Sequence, residues 1–118
     1  MKRYIDGFVL VVPKKNLAAY KKMANLGGKT WMKYGALQYV ETVAEDMKVM
    51  KGALPFPKMT KAKPSDVVIF SWIMFKNRKH RDAVNKKVMA DPIMSEMMEI
   101  PFEMSKMSYG GFETMVNL

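Results

Sequence analysis

Seven side chains in this sequence combine a reactive or polar group with a setting in which it would meet a ligand: Asp6, Trp31, Gln38, Ser71, Trp72, His80 and Tyr109. Asp6 opens an apolar run, Ile5 to Val12 (IDGFVLVV), where burial would raise its pKa and turn it into a base. Pairing with a lysine or arginine at a strand end is the competing role. His80, the single histidine, serves as a general base or haem ligand only if it faces a pocket. Between Lys79 and Arg81, near a helix start, it reads equally as a solvated surface residue. Ser71 interrupts the run Val67 to Phe75 (VVIFSWIMF), and a buried hydroxyl needs a partner. No G-x-S-x-G or histidine–acid arrangement accompanies it, so serine-nucleophile chemistry is not indicated. Trp31, Gln38, Trp72 and Tyr109 carry polar groups able to reach a cavity, against the alternative of filling core. Arg81, Asp82 and Asn85 form a further polar set that either lines a cleft or anchors a subunit contact.

The composition removes several kinds of chemistry. The chain has no cysteine, which excludes disulfides, thiolate metal sites, iron–sulfur clusters and cysteine nucleophiles. One histidine excludes three-histidine and two-histidine–carboxylate metal sites within a chain. No metal and no cofactor is therefore expected. The 14 methionines, among them Met94, Met97, Met98, Met104 and Met107, include thioethers spaced to share a helix face and bind copper(I). Methionine more often fills irregular apolar space, so a pocket or subunit contact is the better reading. Gly27-Gly28 falls inside a helical pattern instead of between a strand and a helix, so it is not a phosphate loop. The pair reads as a close helix–sheet contact or a bend.

The elements that must position these groups follow from periodicity. Ile5 to Val12 is a first strand. After Pro13, with Asn16 as N-cap, Leu17, Tyr20, Ala24, Gly27, Trp31 and Tyr34 recur at helical spacing up to a stop at Gly35. Ala36 to Ala44 is a second strand with polar residues mixed in, and Glu45 to Asp66, with Gly52, Pro55, Pro57 and Pro64, is a long irregular excursion. Val67 to Phe75 is a third strand. Asn77 caps a second helix from Arg78 to about Ala90, whose apolar side is Ala83, Val84, Val88 and Met89. Asp91-Pro92 opens a short helix to about Met98, with Asp91 as N-cap and Pro92 at the first helical position. A last strand, about Met104 to Met115, holds Gly110-Gly111, a signal for a bulge or a close backbone approach.

The order β-α-β-β-α-β with right-handed crossovers gives an α+β, ferredoxin-like sandwich with an antiparallel four-stranded sheet ordered 4-1-3-2. All 118 residues form a single domain. The first and third strands, central in that order, are apolar at odd and even positions alike. Two helices cover one face, so the other is expected to pack on a second subunit.

The segments IDGFVLVVP, VVIFSWIMF, RDAVNKKVMADP and MSYGGFE together resemble the YbaA-like family, small bacterial proteins of unknown function. The resemblance implies a protomer that pairs sheet to sheet as a dimeric α/β barrel. It brings no established reaction and no catalytic residues, and the segment around Lys48 to Lys63 matches least.

Twenty lysines and arginines against 11 aspartates and glutamates give a net charge of +9. Such basicity fits nucleic acid or an acidic ligand, but arginine, the bidentate phosphate reader, occurs only at Arg3, Arg78 and Arg81. No run approaches the roughly 20 apolar residues of a membrane span, and the N-terminus reads as a strand instead of a signal peptide, so a cytoplasmic protein without a membrane partner is expected. The leading functional expectation is a homodimer, paired through its sheet faces, that binds a small apolar or acidic molecule, with cofactor-independent catalysis as an option. Alternatives are nucleic-acid binding through the lysines, and a non-catalytic partner protein.

Overall fold

A computed structural model describes residues 1–97 and 101–118. Strand β1 (Tyr4–Pro13) leads through a short 3-10 turn into helix α1 (Leu17–Lys33) and strand β2 (Gln38–Val43). Helix α2 (Phe56–Thr60), strand β3 (Asp66–Phe75), helices α3 (Arg78–Ala90) and α4 (Ile93–Glu96), and strand β4 (Ser108–Glu113) follow. The sheet is ordered β2-β3-β1-β4 and antiparallel throughout, the expected topology. β1 and β3 pair over their whole length, from Tyr4 opposite Phe75 to Pro13 opposite Asp66.

This register sends Tyr4, Asp6, Phe8, Leu10 and Val12 of β1 to the same side as Val67, Ile69, Ser71, Ile73 and Phe75 of β3. The long helices cover that side. Tyr20 and Ala24 of α1 pack on Leu10, Val12 and Ile69, while Val84 and Val88 of α3 pack on Ile73 and Phe75. At roughly 1.5–3 kcal/mol for each fully buried large apolar side chain, these contacts dominate the stability of the sheet–helix layer. Gly28 lets α1 approach β2 closely: a Cβ there would lie 2.6 Å from Cδ1 of Tyr39.

The opposite side carries Ile5, Val9, Val11, Val68, Phe70, Trp72 and Met74, with Phe112 from β4. Helix α2 covers one end, where the Phe56 and Phe70 rings sit 6.4 Å apart and Val11 and Val68 are buried. Beyond it the face is open in the single chain. Phe70 is 46% and Phe112 62% exposed, and a groove of about 540 Å³ runs between them over Gly7 and Gly110.

Several local expectations are corrected. The excursion before β3 holds α2, which the prolines start instead of forbid: Pro55 precedes it and Pro57 sits in its first turn, where the missing N–H costs nothing. Asn16 makes no cap hydrogen bond; its amide reaches across to donate to the Pro101 carbonyl at 3.2 Å. Ala83 and Met89 face solvent, leaving Val84 and Val88 as the buried stripe of α3. Pro92 is itself the cap residue of α4, and the Asp91 carboxylate accepts from the Ile93 N–H at 2.9 Å. The expected helix end near Met98 lies outside the described residues. β4 begins only at Ser108, after a 3-10 turn over Met104–Lys106. Gly110 and Gly111 pair in register with Gly7 and Asp6 without a bulge, and the close approach is that of the Tyr4 hydroxyl to Gly111.

The start of α3 is fixed as expected. The Asn77 side chain accepts from the His80 N–H at 2.8 Å, and His80 Nδ1 accepts from the Lys76 N–H at 3.0 Å. Burial and the neighbouring Lys76 lower the His80 pKa, so its folded form resists protonation. Its stabilising contribution is complete above the unfolded value near 6.5 and is lost as pH falls through the lower folded value. Two outcomes are expected. Asn77→Ala costs about 1 kcal/mol in urea denaturation. His80→Gln flattens the fall in melting temperature that the native chain shows between neutral and mildly acidic pH.

Candidate functional site

Helix α1 and the edge strand β2 bound an open, mostly apolar groove of about 750 Å³. Along α1 the lining positions Leu17, Tyr20, Ala24, Gly28 and Met32 recur at three- and four-residue spacing, so one stripe of the helix faces it. Tyr39, Glu41 and Val43 alternate along β2 and face it from the sheet. Beyond Tyr20, Ala24, Tyr39 and Glu41 lies a second, inner chamber of about 180 Å³, closed by Phe8, Trp31, Ser71, Met97, Phe102 and Met107 among others.

The partition between the two spaces is polar. The Tyr20 hydroxyl donates to one Glu41 carboxylate oxygen and the Tyr39 hydroxyl to the other, each at 2.7 Å. Burial, and then the Glu41 charge, push both phenol pKa values above their ordinary range. Both tyrosines therefore stay protonated and remain donors at neutral pH. The result is a carboxylate with two fixed hydrogen-bond donors at the bottom of a mostly apolar groove, a polar point on its floor by which a ligand can be oriented.

A separate network lies behind β1. Asp6 is 1% exposed, and its carboxylate accepts from Arg81 Nη1 at 2.6 Å. Arg81 also donates through Nε to Asp82 at 2.7 Å, reaches the Tyr109 hydroxyl at 3.4 Å, and lies over the Tyr4 ring. Burial pushes the Asp6 carboxyl upward, while the Arg81 guanidinium and the Asn85 side chain pull it back; a net rise remains. One turn along α3, Asn85 accepts from the Trp31 indole at 3.0 Å.

The seven residues singled out from the sequence are thus dispersed. Asp6 and Tyr109 join through Arg81, and Trp31 touches the same network through Asn85 while lining the inner chamber. Ser71 faces that chamber. Gln38 and Trp72 meet on the helix-free face, where the indole donates to the Gln38 carbonyl oxygen at 3.0 Å. His80 packs edge-on to Phe75 beside the start of α3, away from both spaces. Among the described residues no group of three or more His, Asp or Glu is placed to hold a metal ion. Tyr20, Tyr39 and Glu41 were not anticipated. Tyr20 looked like one more apolar position of α1, and Glu41 like the polarity of an edge strand. The available signal was the two-residue spacing of Tyr39 and Glu41, which fixes them on one face.

The family model described as "Protein of unknown function (DUF1428)" matches residues 3–104. The chain belongs to this family. It is 40% identical over 116 residues to the uncharacterized protein YbaA of Escherichia coli strain K12, covering 98% of both chains, and it matches YbaA of Shigella flexneri equally. Among solved structures it is similar to a candidate antibiotic biosynthesis monooxygenase from Nitrosomonas europaea, at TM-score 0.53 and 13% identity over 96% of this chain and 90% of that one. A protein from Shewanella oneidensis gives TM-score 0.52 and 15% identity with the same coverage. These likenesses are of fold alone: a ferredoxin-like α+β protomer with a four-stranded antiparallel sheet.

Two outcomes separate the networks of this DUF1428 member. Removing either partner of the Asp6–Arg81 pair leaves an uncompensated buried charge, so Asp6→Ala and Arg81→Ala each cost about 3–5 kcal/mol in denaturant titration. Tyr20→Phe and Tyr39→Phe each cost only about 1 kcal/mol, and crystal structures of these variants retain the groove.

Proposed function

We propose that the protein is a homodimer that binds a small, largely apolar molecule between α1 and β2, oriented by the Tyr20–Glu41–Tyr39 network. Cofactor-independent chemistry on that molecule is the natural extension of such a site. The observation carrying the reading is the junction of the groove and the inner chamber at one carboxylate held by two phenols. The size and apolar lining of the groove are those of small-molecule sites. The fold likeness to a candidate antibiotic biosynthesis monooxygenase supports the same class of role.

Dimerisation is the second half of the proposal. Phe70, Trp72 and Phe112 leave an apolar face on the helix-free side, wider than isolated exposed residues would make. A second copy of the sheet has the matching surface, because a two-fold contact uses the same patch twice.

Native mass spectrometry of freshly purified protein tests both halves together. The expected spectrum shows two chains carrying a small organic molecule that is released on denaturation. Empty monomers overturn the reading, and loss of the adduct in Glu41→Gln with the dimer retained assigns the molecule to the groove.

A further inference from the structure

The groove has a direction and a charge. Its α1 wall runs from Leu17 to Met32, about 22 Å at 1.5 Å per residue, so it suits an elongated occupant better than a compact one. Along its solvent edge, Lys21, Asn25 and Lys29 follow one another at four-residue spacing and are all exposed. Neither lysine forms an ion pair among the described residues. Among the described residues Glu41 is the one acid lining the groove, and a tyrosine hydroxyl occupies each of its oxygens. The apolar floor therefore carries a cationic rim, on a chain of net charge +9.

Resting on the small-molecule reading above, we propose that this groove takes a linear amphiphile with an anionic head, of the chemistry of a long-chain carboxylate. Its chain lies along Leu17, Ala24, Gly28 and Met32. Its carboxylate sits on the Lys21–Asn25–Lys29 row, where an ammonium and an amide donate to it. Burial of methylene groups supplies the affinity, at about 0.8 kcal/mol each, and the lysines select the head by charge. A cationic amphiphile of the same length loses that contact and meets repulsion instead.

The test titrates the full-length protein, below micelle-forming concentrations, with dodecanoate, dodecanol and dodecyltrimethylammonium, using isothermal calorimetry. Dodecanoate is expected to bind once per chain and most tightly. Lys21→Gln/Lys29→Gln weakens dodecanoate roughly tenfold while leaving dodecanol unchanged, and added salt has the same selective effect. Met32→Trp, which fills the groove from an exposed position, weakens all binding. Equal affinity for the three probes, abolished by Met32→Trp, overturns the anionic head but keeps the groove as a small-molecule site. A dodecanoate signal indifferent to Met32→Trp overturns the location. Binding to phosphatidylglycerol vesicles without any response to dissolved dodecanoate overturns a free amphiphile in favour of a membrane lipid. Failure of every probe, with empty chains in native mass spectra, removes the groove reading itself.

Discussion

The structure depends on one constraint, that β1 and β3 are apolar on both faces and occupy the middle of the sheet. Their ten-residue ladder is the longest pairing in the molecule, and every other element is placed relative to it. α1 and α3 meet one side of it through Tyr20, Ala24, Val84 and Val88. β2 and β4 shield its edges with shorter strands. A strand with one wet face would alternate, and Val67-Val68-Ile69-Phe70 does not. The helices satisfy half of that demand, α2 satisfies a corner of the other half, and the remainder is what a second copy would satisfy.

The same constraint explains where polar chemistry is admitted. Between the helices and the sheet, charge survives only where its partners are built in. Asp6 is fully buried yet bound by Arg81, and Arg81 is itself held by Asp82 and Tyr109. This network ties β1, α3 and β4 together through mutually paired charges, so it works as an anchor. Glu41 differs, because its partners are uncharged phenols and open space adjoins it on both sides. That contrast directs the functional reading to β2 and α1 instead of to the stronger ion pair.

The architecture could be read from the chain because it rests on patterns of many residues. Strand order, the Asn77 cap and the Gly35 stop, where φ is +109°, all emerged from periodicity and punctuation. α2 was missed because Pro55 and Pro57 look like breakers until one sees that they sit at a helix start. The site was far less accessible. Asp6 stands out in the sequence as a charge in an apolar strand, but its partner lies 75 residues away on α3. Trp72 and Gln38 meet on the other face: even positions of β3 point away from the helices, so Trp72 borders the groove on the helix-free side. Tyr20 and Glu41 each had an adequate local explanation, and only the packing of α1 across β2 brings phenol and carboxylate into contact.

The central claim is that the open side of the sheet is an interface between two copies of this chain. Sedimentation equilibrium of the native protein beside Phe112→Lys tests it most directly, since Phe112 is exposed and lies outside the helix–sheet core. The account predicts twice the 13.6 kDa chain mass for the native protein, and the single-chain mass for the variant with an unchanged far-ultraviolet circular dichroism spectrum. A native protein that sediments as one chain across the micromolar range, with its helix-free face open to solvent, would contradict it.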